Sequence, residues 1–346
     1  MSAPKSRVTM SDIAKRLDVT VSTVSRAINQ PHRISTDTRA KVMELVRKMH
    51  YSPNSTVRNL RANKTGNFGY IYNRDCPISE KLPAMRLFEA LEIEAQGSGY
   101  NMVLSSVDNN TKDAELPLMV RDNRVDGIFL GGRIESRLIK KIQQSHTPLI
   151  LLANHSLEAE IDCVIQDNIR GAYQAVSHLM DNGHERIGFI GAPFDELWSW
   201  ERLQGMRLTF DKRGMKLDDE LIHVEDMWSP AEGFHELMQL SEPPTAIFCA
   251  NDRLARRLLK VARAAQVEIP GDVSLVGFDN EPWTGESWAS VTTVDICVDV
   301  MAKAAISKMR ALMADNSDVP LTTLTPTSLI VRESTLPLPR LKKTVS

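Results

Sequence analysis

The chain has 346 residues, 42% hydrophobic and 25% charged, enough for two or three globular domains and too many for one core. No stretch approaches the ~20 apolar residues of a membrane-spanning helix, and Met1–Arg7 does not read as a signal peptide, so no membrane partner is expected. The net charge of −2 hides a division by position: residues 1–66 carry 13 Lys and Arg against 4 Asp and Glu, the other 280 carry 29 against 40.

A basic head on an acidic body is the electrostatic footprint of a polyanion binder, most often of nucleic acid. The head's pattern predicts three short helices. Thr9 to Asp12 reads as a capping box, after which Ile13, Ala14 and Leu17 share one face. Asp18-Val19 makes a break, and Thr20 caps a second helix with Val24, Ala27 and Ile28 turned inward. Ser35 caps a third, in which Val42, Leu45, Val46 and Met49 recur at helical spacing. Tyr51-Ser52-Pro53 ends it, because the residue before a proline is pushed out of the helical region. Two short helices about a tight turn, with a third in support, make a helix-turn-helix.

From Asn67 onward short apolar runs alternate with helical patterns. Strands are predicted at Phe68–Tyr72, Met102–Ser105, Gly127–Leu130, Leu149–Leu152, Ile187–Gly191, Ala246–Ala250 and Val273–Phe278. Helices are predicted at Ala84–Gln96, Ala172–Met180, Arg202–Lys212 and Leu254–Ala265. Such alternation means parallel sheets covered by helices, and the number of units asks for two doubly wound subdomains. Ligands of such sheets sit beyond the carboxyl ends of the strands, so the default site is a cleft between the subdomains. Cys76, Cys163, Cys249 and Cys297 lie far apart with no CxxC pair, which argues against a zinc site or a disulfide framework and for a cytosolic, reducing compartment. No GxGxxG, P-loop, GxSxG or HExxH occurs, so no enzyme and no cofactor are expected.

Eight ordered segments carry a resemblance to a known family. They are Met10–Asn29, Tyr51–Asn54 with Val57–Leu60, Arg124–Ile128, Gly183–Ile190, Pro244–Asp252, Val273–Asp279, Thr292-Thr293 and Leu329–Ser334. Together they resemble the LacI/GalR family of ligand-responsive transcription repressors over nearly the whole chain. The resemblance implies an α + α/β architecture: a helix-turn-helix domain at 1–51, a hinge helix at 52–66, and a ligand-binding and dimerisation domain at 67–346. That last domain is then two doubly wound parallel-sheet subdomains of the periplasmic-binding-protein type I kind. The N-subdomain takes about 67–166 plus 298–325, and the C-subdomain about 167–297 plus 326–340. Departures from the family pattern are Asp18 for the usual turn Gly, Val57 for Ala, Ala153 for an Asp that often touches ligand, and Arg257 for a small residue.

By the same resemblance the second helix lies in the major groove of operator DNA, with Val21 and Ser22 at the family's main specificity positions. Valine offers apolar contact, for example to a thymine methyl, and serine a versatile hydrogen bond. Arg26, one turn on from Ser22, suits a bidentate pair with guanine, the alternatives being a phosphate contact or a solvated charge. Thr23, Ser25 and Asn29 read as phosphate contacts, or for Ser25 and Asn29 as capping or surface residues. In the hinge, Asn54 and Arg58 accompany Leu60, whose side chain the family wedges into a central minor-groove step. A homodimer on a palindromic operator is implied. Pro337 and Pro339 exclude the C-terminal heptad helix of the family's tetramers.

The effector cleft carried over from the family contains Asn73, Asn154, Arg202, Trp228, Asn251 and Asp279. The donor fork of Arg202 and the acceptors of Asp279 suit a vicinal diol, Trp228 the apolar face of a sugar ring, and Asn251 both a donor and an acceptor. Ala153 removes one carboxylate, and Arg74 and Arg133 follow strand ends, so a sugar, a sugar acid or a sugar phosphate is the expected ligand. Arg202 and Asp279 are expected to be hydrated in an open cleft, with pairing of Arg202 to Glu201 as the structural alternative. Trp200 and Trp283 stay open between core and cleft, and His155, His184 and His223 read as surface or capping residues. The function expected is a repressor of a carbohydrate-use operon released by its ligand. A corepressor-activated regulator and a solute-binding protein of the same two-lobe fold are the alternatives.

Overall fold

The computed structural model of the chain describes residues 8–49, 51, 64–74, 82–108, 115–132, 134–156, 160–193, 196–225, 232–285, 290–315 and 321–338. The chain divides into two compact units, Met1–Lys64 and Thr65–Ser346.

Among the described residues the first unit holds three α-helices, α1 (Met10–Leu17), α2 (Val21–Asn29) and α3 (Thr36–Lys48), with a 3-10 turn at Pro31–Arg33. Each α-helix starts where a hydroxyl takes over an orphaned amide. Thr9 forms a reciprocal capping box with Asp12, Thr20 Oγ1 accepts from Thr23 N–H at 3.1 Å, and Ser35 Oγ accepts from Thr38 N–H at 3.3 Å. The Thr9 hydroxyl and amide donate to the Asp12 carboxylate and hold its pKa below the usual carboxylate value. Asp18 ends α1 in the left-handed region, at φ 53°, where glycine is the ordinary occupant. Ile13, Ala14, Val24, Ala27 and Val42 form the buried centre with Tyr51, and α3 ends before Tyr51, at Lys48 with Met49 as its cap.

In the second unit the strands are β1 (Asn67–Asn73), β2 (Asn101–Val107), β3 (Gly127–Gly131), β4 (Leu149–Leu152), β5 (Asp162–Gln166) and β6 (Ile187–Gly191). They continue as β7 (Ile222–Val224), β8 (Ala246–Cys249), β9 (Ser274–Phe278), β10 (Thr292–Asp295), β11 (Thr322–Thr325) and β12 (Ser328–Ile330). The helices are α4 (Leu82–Gly97), α5 (Leu118–Arg121), α6 (Ser136–Gln143), α7 (Asn168–Asp181), α8 (Leu197–Lys212), α9 (Glu232–Met238), α10 (Asp252–Ala264) and α11 (Val298–Met313).

Two six-stranded sheets result. One, of order β11-β5-β4-β3-β1-β2, is wholly parallel; the other, β12-β10-β9-β8-β6-β7, is parallel except for β12 against β10. Parallel strands buried on both faces read as continuous apolar runs, and every residue of β3, β4, β6, β8 and β9 is buried. The first sheet with its helices is lobe 1, the second lobe 2. The chain passes between the lobes at Asp167, at Ile296-Cys297 and at Pro326-Thr327, so α11 returns to lobe 1 and packs with α4.

In lobe 2, α7 and α8 approach closely at Gly205, where a β-carbon would run into the Ile169 carbonyl and Ala172 Cβ. His184 departs from its surface reading: it is 2% exposed, with its ring nitrogens on Thr245 Oγ1 at 2.9 Å and the Leu336 carbonyl at 3.0 Å. It ties the C-terminal segment to the lobe, and burial lowers its pKa. Trp283 packs against the lobe-2 core, whereas Trp200 is 45% exposed.

Candidate functional site

Thr20 fixes the start of α2, and the inward set Val24 and Ala27 fixes its rotation. The opposite face then presents Val21, 46% exposed, with Ser22 and Arg26 also exposed. Thr23 and Ser25 are half-buried at its border, and the Thr23 hydroxyl bonds that of Thr20 at 2.9 Å. Asn29 is the last residue of α2. On α3 the acids are met by their own helix, Asp37 by Lys41 at 2.9 Å and Glu44 by Lys48 at 2.7 Å. Neutralising its own acids leaves the head's remaining arginines to dominate its field. Asn54, Arg58 and Leu60 lie outside the described residues.

In the second unit the carboxyl ends of β5, β8 and β9 converge on Arg202 of α8. This side chain is not a hydrated group in an open cleft: Arg202 is 2% exposed. Its Nε donates to Asn168 Oδ1 at 3.0 Å, one terminal nitrogen to the Ala250 carbonyl, and the other meets Asp279 Oδ1 at 3.0 Å. The guanidinium also lies 3.6 Å from the centre of the Phe278 ring. Glu201 is not its partner; it accepts from Asn168 Nδ2 at 2.7 Å and faces His155 at 3.4 Å.

Burial opposes the charged form of both Arg202 and Asp279, pushing the first pKa down and the second up, and their mutual attraction opposes both shifts. Asp279 and Asn280 follow β9 with φ of 109° and 50°, left-handed conformations that cost non-glycine residues about 1–3 kcal/mol each. Three arginines hold this turn. Arg202 takes the Asp279 carboxylate, Arg332 donates to Asn280 Oδ1 at 2.7 Å, and Arg86 of lobe 1 donates to the Asn280 carbonyl at 2.7 Å.

Asn251 is 2% exposed and caps α10, its Oδ1 accepting from Leu254 N–H at 2.9 Å. Asn154 Oδ1 accepts from His155 N–H at 2.9 Å, directly after β4. Asn73 ends β1, half-buried, at the edge of lobe 1. Trp228 and Arg133 lie outside the described residues, and Arg74 meets Asp108 at 3.4 Å. Among the site residues, then, Arg202 and Asp279 are in direct contact, Asn251 adjoins them through Ala250, and Asn154 adjoins through His155.

Gln166, Asn168 and Arg86 were not singled out in the sequence, Glu201 was named there only as an alternative partner of Arg202, and His155 only as a surface or capping residue. Gln166, 3% exposed, donates to Asn168 Oδ1 at 3.1 Å, while its own Oε1 makes no hydrogen bond to the protein; His155 Nε2 lies 3.4 Å from Glu201 Oε1. Buried polar atoms are normally paired, so the Gln166 oxygen offers an acceptor to a polar molecule. The signal was there in part: Gln166 and Asn168 flank the end of a strand, where doubly wound sheets bind ligands.

A three-helix head and a two-lobed body with a buried polar junction at its strand ends are the parts of a helix-turn-helix transcriptional regulator. Residues 9–54 match bacterial regulatory proteins, lacI family, and residues 176–335 match the periplasmic binding protein-like domain. The HTH-type transcriptional repressor PurR of Escherichia coli O139:H28 (strain E24377A / ETEC) is 28% identical over 319 residues, covering 90% of this chain and 92% of that one. The HTH-type transcriptional regulator DegA of Bacillus subtilis (strain 168) is 29% identical over 343 residues, covering 96% and 99%. The lac repressor dimer bound to operator and the anti-inducer ONPF has a TM-score of 0.72 at 22% identity, covering 96% and 100%. The regulator CelR in complex with cellobiose has a TM-score of 0.67 at 24% identity, covering 95% and 100%. The chain belongs to the lacI family of helix-turn-helix transcriptional regulators. No helix among the described residues is long and apolar enough to cross a membrane.

Proposed function

We propose that this regulator is a dimeric repressor of a carbohydrate-use operon. It binds a palindromic operator through two α2 helices and is released when a sugar, sugar acid or sugar phosphate occupies the junction of the lobes. Val21, Ser22 and Arg26 read base edges, and Thr23, Ser25 and Asn29 hold phosphates. Asp279, Arg202, Asn251, Asn154 and Asn73 surround the ligand, with Gln166 and His155 added to them.

The observation that carries the reading is the polar chain Gln166–Asn168–Arg202–Asp279. It crosses from lobe 1 to lobe 2 and leaves a buried acceptor unused at its lobe-1 end. A ligand hydroxyl bonded there and at Asp279 would bind one relative position of the lobes better than another, which is what a shift of equilibrium requires. The cellobiose bound to the CelR relative agrees with a hydroxyl-rich ligand.

Two experiments test it. Selection from random-sequence duplexes should return a site of two inverted half-sites. A thermal-shift screen of sugars, sugar acids and sugar phosphates should find one that stabilises the protein, by about 2.7 kcal/mol at ~100 times its dissociation constant. Selected duplexes without two-fold symmetry, or no stabilising compound of this class, would overturn the proposal.

A further inference from the structure

Arg86 of α4 carries a positive charge from lobe 1 to the turn after β9, and nothing there neutralises it. The side chain is half-buried and donates through Nη1 alone, to the Asn280 carbonyl at 2.7 Å and the Asp279 carbonyl at 3.4 Å. Both acceptors are uncharged. Among the described residues no carboxylate pairs with the Arg86 guanidinium, and its Nε and Nη2 make no hydrogen bond.

The carboxyl groups around this turn are committed elsewhere. Asp279 is paired with Arg202 at 3.0 Å. Glu281 Oε2 accepts from Trp283 Nε1 at 2.8 Å, and burial raises the Glu281 pKa. Asp252 accepts from Thr293 Oγ1 at 2.7 Å and from Glu281 N–H at 2.8 Å, and burial pushes its carboxyl well above the usual range. Arg332 adds a second cation: it donates to Asn280 Oδ1, Thr284 Oγ1 and the Val291 carbonyl, again all uncharged. Asn280 therefore bonds two guanidinium groups that have no carboxylate partner among the described residues.

A half-buried guanidinium without a counter-ion attracts an anion more strongly than a charge in bulk water does. Its planar fork of N–H groups matches two oxygens of a carboxylate or a phosphate. We propose that Arg86 is a specificity-determining residue, selecting an effector that carries an anionic group, so that the ligand is a sugar acid or a sugar phosphate and not a neutral sugar. Hydroxyls of that ligand go to Asp279 and to the unused Gln166 oxygen, and its anionic group goes to Nε and Nη2 of Arg86. The inference rests on the reading of the lobe junction as the site of a hydroxylated effector.

The test uses the full-length protein and matched probe sets. Each set holds a neutral hexose, its hexonate, its hexuronate and its phosphate esters, in the glucose, galactose, mannose and fructose configurations. A thermal-shift screen should find an acid or a phosphate ester that stabilises the protein where its neutral parent at the same concentration does not. By calorimetric titration the anionic compound should bind about tenfold or more tighter than that neutral parent. The carboxylate and phosphate arms identify which anion is held.

Arg86→Gln keeps a donor for the Asn280 carbonyl and removes the charge. The ratio of anionic to neutral affinity should fall about tenfold or more in it. Arg86→Lys keeps the charge and loses the fork, so its ratio should fall less, by about threefold. That variant decides the question if Arg86→Gln does not fold. Stabilisation by neutral sugars alone, or equally by neutral and anionic forms, would overturn this inference and leave the sugar site standing. An unchanged ratio in a folded Arg86→Gln, or in Arg86→Lys where only that variant folds, would make Arg86 a mere strap between the lobes and overturn it too. No stabilising compound in any set would overturn the proposed site and this inference with it.

Discussion

Replacing Arg202 by alanine should destabilise the body strongly, before any ligand is considered. The side chain is 2% exposed and neutralises Asp279, whose own side chain is 16% exposed. Stranding a buried charge costs about 3–5 kcal/mol, and the partial exposure of Asp279 lowers that to about 2–4 kcal/mol. The Ala250 carbonyl and Asn168 Oδ1 also lose a donor, at about 1 kcal/mol each. A total of about 4–6 kcal/mol corresponds to a fall of about 10–20 °C in Tm for a domain of this size. Asp279→Asn keeps the shape and one acceptor and should cost about 1–2 kcal/mol. A double-mutant cycle in urea should give a coupling above about 1.5 kcal/mol, the signature of a direct pair. If Arg202→Ala unfolded within about 0.5 kcal/mol of the parent and the coupling vanished, the pair would not exist in solution.

Arg26→Ala should weaken operator binding by about 1–3 kcal/mol and relax preference at one base pair per half-site; an equal loss on every sequence would make Arg26 a phosphate contact. Parent affinity should fall by orders of magnitude between ~50 and ~200 mM salt in a gel-shift titration, and a flat response would remove the basic head from the interface. Burial lowers the folded-state pKa of His184, so the unfolded chain binds the extra proton first as pH falls. Stability is therefore full above about pH 6.5 and declines below it, toward the lowered folded-state value, by up to about 1.4 kcal/mol per pH unit. Urea melts across that range should show the slope, and His184→Gln should flatten it. Gly205→Ala should cost about 1–3 kcal/mol by driving a methyl into α7, and a neutral result would mean that the helices relax apart freely.

The fold was largely legible because its strongest signals are local. Thr9, Thr20 and Ser35 announce the head helices, and runs such as Ile187–Gly191 announce fully buried parallel strands. What escaped the pattern was polar or borrowed. β5 (Asp162–Gln166) ends in Gln, and β10 and β11 are threonine-rich; threonine favours strands, but it interrupts the apolar run by which a buried strand is read. α7 and α8 begin earlier than predicted, at Asn168 and Leu197; the first turn of α7 carries Asn168, whose side chain lies in the junction, and that of α8 carries Ser199, whose hydroxyl bonds Ala192. Arg202 and Asp279 were legible as types, but their mutual neutralisation is a fact of three dimensions. His184 looked like a surface residue because its partners, Thr245 and Leu336, lie 61 and 152 residues away.

On the proposed function, occupancy near Asp279 sets the affinity of the head for DNA. The direct measurement is the affinity of the parent and of Asp279→Asn for the selected duplex, with and without a compound that stabilises the parent in the thermal-shift screen. The compound should weaken binding by the parent about 5–150-fold, the range of a typical coupling, and leave Asp279→Asn unaffected. A compound that saturates the parent while its affinity for the duplex stays the same would contradict it.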